Sequence, residues 1–197
     1  FRDGIRFFKR FMTETYTPVC DYDSIAQNFE LKGTDGKIHS LDSCRGPKAT
    51  LVIFMCNHCP YVKSILDQLV VEVSVMQKKG IGCVAINSND YDSYPEDSYE
   101  NMQDISKKNG FSFPYLIDES QDIAKSYGSV CTPDFFGFNA NLELQYRGRF
   151  DDRKTSKQMS ANSSELFKGM IEIARTGKGP VNQIASVGCS IKWRKSE

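Results

Sequence analysis

The chain has 197 residues, a formal net charge of zero and a charged fraction of 25%. That length is enough for one domain with its own core, and the balanced charge without a basic stripe gives no indication of nucleic-acid binding. No apolar run approaches the roughly 20 residues that span a bilayer, so we expect no membrane partner. The cysteine count of seven is odd, which favours a reducing, cytoplasmic location or a reactive thiol site over a secreted disulfide framework.

The N-terminal segment is basic and aromatic over residues 1–11. Three alternatives remain open for it: a fragment of a targeting segment, an added helix, or residues upstream of a start at Met12. An organellar or periplasmic location therefore stays open beside the cytoplasmic one. We divide the chain into an N-terminal extension at 1–12, one domain at 13–180 and a C-terminal tail at 181–197 that packs on the domain.

The first half of the domain predicts a β-hairpin followed by a β-α-β unit. Asp35-Gly36 lies between two short alternating runs, which is typical of a hairpin turn. An apolar run at 49–55 predicts a buried strand, and apolar residues at three- and four-residue spacing predict an amphipathic helix at 59–79. The run at 81–87 predicts a second buried strand, parallel to the first.

The second half predicts two more helices before a hairpin and one after it. Ser98 is the expected N-cap of the first of these helices, and Asn162 that of the last. The polar loop at 91–98, YDSYPEDS, is interpreted as solvated surface. The order of elements predicts an α/β fold with a central mixed sheet and helices on both faces.

Cys56 and Cys59 lie between the buried strand at 49–55 and the amphipathic helix. Pro60 is tolerated only in the first turn of a helix, so it places the helix start next to both cysteines. Unpaired N–H groups and the helix dipole favour an anion there, and the thiolate is the reactive form of cysteine. His58 adds a second cation. We interpret Cys56 as the attacking thiolate and Cys59 as the resolving thiol.

Two other interpretations of this pair are a half zinc site and two core cysteines. A structural zinc site needs four ligands, commonly a second pair at similar spacing. No second pair exists in the sequence, where the other cysteines and histidine are Cys20, Cys44, Cys83, Cys131, Cys189 and His39. We therefore expect a redox pair with no resident metal and no cofactor.

Several motifs together resemble one family. They are FMCNHCPYVK, AINSNDYDSYPEDS, FPYLIDESQDIAKSYG, CTPDFFGF, YRGRFDD and SVGCSIKW. The chain resembles thioredoxin-like redoxins related to alkyl hydroperoxide reductase/thiol-specific antioxidant proteins, in a subgroup with a Cys-Asn-His-Cys-Pro motif. The resemblance implies a thioredoxin-like fold with an N-terminal β-hairpin extension. It also implies that Thr132-Pro133 is a cis peptide that packs on the redox cysteines and offers backbone groups to the substrate.

The leading functional hypothesis is a thiol-disulfide oxidoreductase that acts on protein or small-molecule disulfides and is served by a thiol reductant, with roles in antioxidant defence and redox homeostasis. The first alternative is a peroxidase of the peroxiredoxin type. Those enzymes use Pro-x-x-x-Thr-x-x-Cys and a distant arginine; here Val52 and Cys56 stand at the Pro and Thr positions, and Arg147 or Arg149 would supply the cation. The second alternative is a metal-binding module of the same fold.

The metal alternative needs a third ligand from His39, Cys131 or Cys189. Two of these cysteines have a redox interpretation as well. Cys131 precedes Pro133 by two residues and Cys189 lies in the tail, and either is an accessory exchange thiol or a packing residue. The sequence does not decide the oligomeric state.

Overall fold

The computed structural model describes residues 13–158 and 160–195. The proposed N-terminal extension and its alternatives lie outside these residues. In chain order the elements are β1 (Glu14–Tyr16), β2 (Glu30–Gly33), β3 (Ile38–Ser40), α1 (Leu41–Cys44), β4 (Ala49–Phe54), α2 (Pro60–Lys78), β5 (Ile81–Asn87), α3 (Tyr99–Lys108), β6 (Tyr115–Ile117), α4 (Asp122–Tyr127), β7 (Cys131–Thr132), β8 (Asp134–Asn139), β9 (Leu144–Tyr146), α5 (Glu165–Thr176) and β10 (Val187–Ser190).

The main sheet has seven strands in the order β3-β2-β6-β5-β4-β8-β9. β4 and β5 pair in parallel, as the β-α-β pattern predicts, and so do β5 and β6. β8 pairs antiparallel with β4, and β2 pairs antiparallel with β6. The sheet is therefore mixed, and β4 is an interior strand whose carboxyl end leads directly into α2.

Both faces of the main sheet are covered, which explains the near-continuous apolar runs of β4 and β5. Leu51 and Ile53 of β4 face a core shared with α2, α3 and α5. Val52 and Phe54, the alternating residues, face a second core shared with α1 and α4. This alternation follows from the period of two in a strand, and it confirms the expected sheet with helices on both faces.

A second, three-stranded sheet forms from β1, β10 and β7 in that order. Its central strand, β10, belongs to the C-terminal tail, which the sequence indicated only as aperiodic. Cys189 of β10 pairs with Glu14 on one side and with Thr132 on the other. A Cβ at Gly188 would overlap the carbonyl oxygen of Thr132, so glycine permits this close approach.

Of the two predicted helix N-caps, Ser98 is confirmed and Asn162 is wrong. Ser98 caps α3 by accepting a hydrogen bond from the backbone N–H of Asn101. The last helix, α5, begins two residues later than predicted, because Ser164 rather than Asn162 accepts from the N–H of Phe167. No helix in the described part of the chain is long and apolar enough to cross a membrane.

Candidate active site at the carboxyl end of β4

Cys56 and Cys59 lie at the junction of β4 and α2. Cys59 is the N-cap residue of α2 and Pro60 occupies its first turn, as the sequence predicts. Both thiols are buried: Cys56 is 2% exposed and Cys59 is 0% exposed. The pair also sits at the carboxyl end of β4, an interior strand. Open α/β sheets place their functional sites at such strand ends.

Thr132 contacts both cysteines from β7. Its Oγ1 lies 3.4 Å from the Sγ of Cys56, and its carbonyl oxygen lies 3.2 Å from the Sγ of Cys59. The Thr132-Pro133 peptide bond is cis, as the resemblance implies. The structure thus brings Thr132 and Pro133 to the predicted redox pair.

The two accessory cysteines differ in what they contact. The Sγ of Cys189 lies 2.9 Å from the Sγ of Cys59. The thiol of Cys131 instead donates to the carbonyl oxygen of Pro133 at 3.8 Å. Both side chains are buried, and only Cys189 makes a direct sulfur contact with the pair.

A buried polar network lies on the opposite side of the pair, around Asp97. The Asp97 carboxylate accepts hydrogen bonds from the backbone N–H of Asn57 at 2.7 Å and from the side chain of Asn89 at 2.9 Å. The Asn57 side chain donates to the Glu96 carbonyl and accepts from the Tyr115 hydroxyl at 2.9 Å. Because Asp97 is only 1% exposed, the interpretation of the 91–98 loop as solvated surface is wrong at this residue.

His58 joins this network through its Nδ1 atom, which lies 2.6 Å from Asp97 Oδ2. The separation is that of an ion pair, although Nδ1 makes no well-directed hydrogen bond. The imidazole stacks on the ring of Tyr94 with centroids 5.5 Å apart. These two contacts hold His58 beside Cys56, with donor atoms of Cys56, His58 and Asp97 all within 4.8 Å of one another.

The pKa values of the two cysteines shift in opposite directions. Burial raises the pKa of Cys56 well above its usual value, and the hydrogen bond to Cys59 and the negative charge of Asp97 raise it further. Burial also acts to raise the pKa of Cys59, but hydrogen bonding with the thiols of Cys189 and Cys56 outweighs it, so the pKa falls.

Backbone N–H groups of Val62 and Cys189 also favour the Cys59 thiolate. The Thr132 carbonyl oxygen favours a protonated Cys59 and so acts to raise the Cys59 pKa. The interactions that lower this pKa are more numerous and outweigh it. The pKa directions therefore make Cys59 the more acidic of the two thiols. The assignment of Cys56 as the attacking thiolate stays a prediction, and the largest cause that lowers the Cys59 pKa is the contact with Cys189, 130 positions away in sequence.

A cavity of about 340 Å³ reaches the pair from the side of Cys56. Cys56 and Asn57 line one part of it, and Ile105 and Lys108 of α3 line another. Cys56 is thus the thiol next to the open space, while Cys59 lies behind it. This position of Cys56 agrees with the sequence, because the first cysteine of the Cys-x-x-Cys motif precedes the helix.

Sequence reasoning missed Asp97, Asn89 and Tyr115. One signal could have indicated them: Asn87, Ser88 and Asn89 come directly at the end of β5, beside the end of β4, where polar residues of neighbouring strands converge. Asp97 is harder to find, because a single 3-10 turn at Pro95–Asp97 carries it back to the site.

The side chains that lie close enough together to share a metal ion are not the third ligands that the sequence suggested. His39 contacts Asp35 at 3.0 Å, Cys131 donates to a backbone carbonyl, and Cys189 contacts Cys59. The cluster of donors that could hold a metal ion consists of Cys56, His58 and Asp97. The ligand that sequence reasoning missed is again Asp97.

Residues 23–150, which include both cysteines, Asp97 and the cis peptide, match the family described as the AhpC/TSA family. The chain belongs to the AhpC/TSA family. A search of curated proteins found no match.

Two solved structures match nearly the whole chain. An uncharacterized conserved protein from Geobacillus kaustophilus is 37% identical, with 95% of this chain and all of that chain covered and a TM-score of 0.89. A hypothetical protein from Sinorhizobium meliloti is 33% identical, covers 92% of this chain and 100% of its own, and has a TM-score of 0.87.

A more distant match shows the fold alone. The thioredoxin domain of a thiol-disulfide oxidoreductase from Bacteroides vulgatus is 15% identical, with 69% of this chain and 91% of that chain covered and a TM-score of 0.55. The thioredoxin-like α/β fold expected for this AhpC/TSA chain is therefore confirmed.

Proposed function

We propose that this AhpC/TSA protein is a thiol-disulfide oxidoreductase in which Cys56 attacks a disulfide and Cys59 resolves the resulting mixed disulfide. One observation carries the proposal: two adjoining thiols share a site at the start of α2, and one of them lines a cavity. Of the two cysteines, Cys56 is the one that lines the cavity, so it is the one placed to meet the substrate. The contact of Thr132 with both sulfurs supports the same pairing.

The reaction begins with a proton transfer inside the pair. The Cys56 proton moves to Cys59, so that Cys56 becomes the thiolate. That thiolate attacks one sulfur of the substrate disulfide, forms a mixed disulfide and releases the other substrate sulfur as a thiolate. Cys59 then gives its proton to the departing sulfur and attacks Cys56. The second substrate thiolate leaves, and the Cys56–Cys59 disulfide awaits a thiol reductant.

His58 and Asp97 act on the first step as positioning residues. The Asp97 carboxylate lies 2.6 Å from Nδ1 of His58, and this close contact helps to hold the imidazole beside Cys56. A protonated imidazole near the sulfur favours the thiolate. Asp97 alone opposes the Cys56 thiolate by its charge, so the two residues act as a pair.

The peroxidase alternative has less support. Val52 and Cys56 replace the proline and threonine of the peroxidase motif. Arg147 is paired with Asp134 at 3.0 Å, and Arg149 is paired with Glu165 at 2.7 Å, so both arginines already hold carboxylates. A cation for the peroxide would have to leave one of these pairs.

The experiment that tests the proposal compares two assays on wild type and Cys56→Ser. The first is reduction of insulin disulfides and the second is consumption of hydrogen peroxide, each with dithiothreitol. We expect insulin turnover in wild type, its loss in Cys56→Ser and negligible peroxide use. Cys20→Ser is the matched control, since Cys20 is partly exposed and free, and it should behave as wild type.

Two outcomes would overturn this assignment. Peroxide use that survives Cys56→Ser but is lost in Cys59→Ser would make Cys59 a peroxidatic nucleophile. Inactivity of wild type in both assays would remove the oxidoreductase proposal and leave the metal-binding function, which the donor cluster of Cys56, His58 and Asp97 favours.

The metal-binding function has a test of its own. Thiolate, imidazole and carboxylate are ligands that Zn²⁺ accepts. Titration of the reduced full chain with Zn²⁺ should show stoichiometric binding that Asp97→Asn weakens if this function holds. Binding that does not change in Asp97→Asn, or no binding at all, would argue against it. Asp90→Asn, in the same loop, is the control.

A further inference from the structure

A third thiol shares the redox site. The Sγ atoms of Cys59 and Cys189 lie 2.9 Å apart, and both side chains are buried. Cys59 therefore has two sulfur neighbours, Cys56 on the cavity side and Cys189 on the β10 side. A thiol positioned against one sulfur of a disulfide is the arrangement that thiol-disulfide exchange requires.

Neighbouring strands on both sides of β10 hold Cys189 in this position. β10 is the central strand of the three-stranded sheet, and Cys189 is in register with Glu14 of β1 and Thr132 of β7. Gly188 lets the strand approach the Thr132 carbonyl closely. The same Thr132 carbonyl contacts Cys59, so one backbone group positions both sulfurs.

The other described cysteines lack this contact. The thiols of Cys131 and Cys83 are directed at the backbone carbonyls of Pro133 and Ile81 respectively. The thiol of Cys44 contacts the hydroxyl of Ser43. Among these residues, Cys189 is the one whose sulfur lies against Cys59.

We propose that Cys189 is a second exchange partner of Cys59, which moves the disulfide from Cys56–Cys59 to Cys59–Cys189 after substrate reduction. This inference rests on the proposed function for the origin of the first disulfide. Cys189 attacks the Sγ of Cys59, the Cys59–Cys189 bond forms, and the Cys56–Cys59 bond breaks. The Cys189 proton passes to Cys56. No electrons are gained or lost, because the substrate disulfide already removed two.

The transfer restores Cys56 as a free thiol at the cavity while the protein remains oxidised. In the reduced protein Cys189 is a hydrogen-bond partner of Cys59, and that role ends when Cys59 enters a disulfide. The thiol of Cys189 is then available to attack. A thiol reductant that enters the cavity must later reduce the Cys59–Cys189 bond, either directly or through Cys56.

Disulfide mapping on the full chain tests this transfer. Reduced protein is treated with limiting oxidised glutathione, blocked with iodoacetamide and digested with trypsin without reduction. Cys56 and Cys59 lie in one tryptic peptide, 49–63, whereas Cys189 lies in 179–192. A linked pair of these peptides therefore reports the Cys59–Cys189 bond. We expect this link in wild type, together with carboxamidomethylated Cys56 in the linked species.

Three variants sharpen the result. Cys56→Ser should give the linked peptides as its disulfide product. Cys189→Ser should lose them and retain Cys56 in the Cys56–Cys59 disulfide, where iodoacetamide does not alkylate it. Cys131→Ser, the matched control with a buried thiol nearby, should give the wild-type pattern. Absence of the link in both wild type and Cys56→Ser would overturn the proposal.

Mapping is independent of turnover, so it separates this inference from the proposed function. If insulin reduction fails in wild type but the linked peptides form, the proposed function is wrong and the exchange is retained. If insulin reduction succeeds and the link never forms, the exchange is wrong and the proposed function stands. The wild-type chain alone decides between these outcomes.

Discussion

The two sides of the cysteine pair differ in chemistry although only two residues separate the thiols. On the Cys56 side lie a cavity, a buried carboxylate and an imidazole. On the Cys59 side lie a helix N-terminus, a carbonyl oxygen and a third thiol. The first environment raises a cysteine pKa and the second lowers it.

The sulfur that lines the cavity is therefore not the sulfur with the lowered pKa. The pKa of the sulfur at the cavity is raised, and the pKa of the sulfur beside Cys189 is lowered. Buried charge requires hydrogen-bond donors, which the Cys59 side supplies. The pair must therefore react as a unit, and each variant below removes one side of it.

The largest effect is expected for Cys59→Ser, which removes the charged side. Cysteine titrates at about 8.5 without perturbation. A lowered pKa keeps Cys59 ionised as the pH falls below that value. Thiolate absorbance in the ultraviolet should persist at about pH 5 in wild type and in Cys56→Ser, and vanish in Cys59→Ser. Insulin turnover should be lost, with Cys56 trapped as a mixed disulfide.

Retention of the low-pH thiolate signal in Cys59→Ser, with its loss in Cys56→Ser, would reverse the assignment of charge. Cys83→Ser is the control. Burial raises the pKa of Cys83, so that thiol contributes no signal at low pH.

A smaller effect is expected for Asp97→Asn, which alters the Cys56 side. Loss of the carboxylate charge removes one cause of the raised Cys56 pKa. The pH profile of Cys56 alkylation should therefore move to lower pH, and the rate at neutral pH should rise by about tenfold. Mass spectrometry of the peptide at 49–63 measures the alkylation.

The control for this variant is Asp90→Asn, because Asp90 lies in the same loop and pairs with Arg194 at 3.5 Å. An unchanged pH profile in Asp97→Asn, or the same change in both variants, would show that Asp97 does not act on Cys56. Removal of a buried hydrogen-bonded group should also lower the free energy of unfolding by about 1–3 kcal/mol.

The smallest effect is expected for His58→Ala. A cation beside the cysteine pair favours the pair's thiolate form over the disulfide, which makes the disulfide more oxidising. We expect the wild-type reduction potential to be less negative than about −270 mV and the variant to be more negative by about 30 mV. Equilibration with glutathione measures both. His39→Ala, whose imidazole contacts Asp35, should not change the potential.

A wild-type potential at or below that of thioredoxin would contradict the oxidising character assigned to the pair. An unchanged potential in His58→Ala would remove His58 from the stabilisation of the thiolate.

The sequence alone was sufficient for the frame of the site. Apolar periodicity predicted β4, α2 and β5 within one residue of their ends, and Pro60 located the start of α2 beside Cys59. The Ser98 cap was also predictable. These features depend on interactions between residues close in sequence, so a short stretch of residues contains the information.

Only the tertiary structure decided the environment of each sulfur. Asp97 reaches Asn57 across 40 positions, and Cys189 reaches Cys59 across 130. Neither contact has a local sequence pattern: Asp97 sits in a run of polar residues that resembles solvated surface, and Cys189 in an aperiodic tail. Their burial depends on how the loop after β5 and the strand β10 close over the end of β4. The residue types therefore indicate the chemistry, whereas packing between distant segments decides which thiol has the lowered pKa.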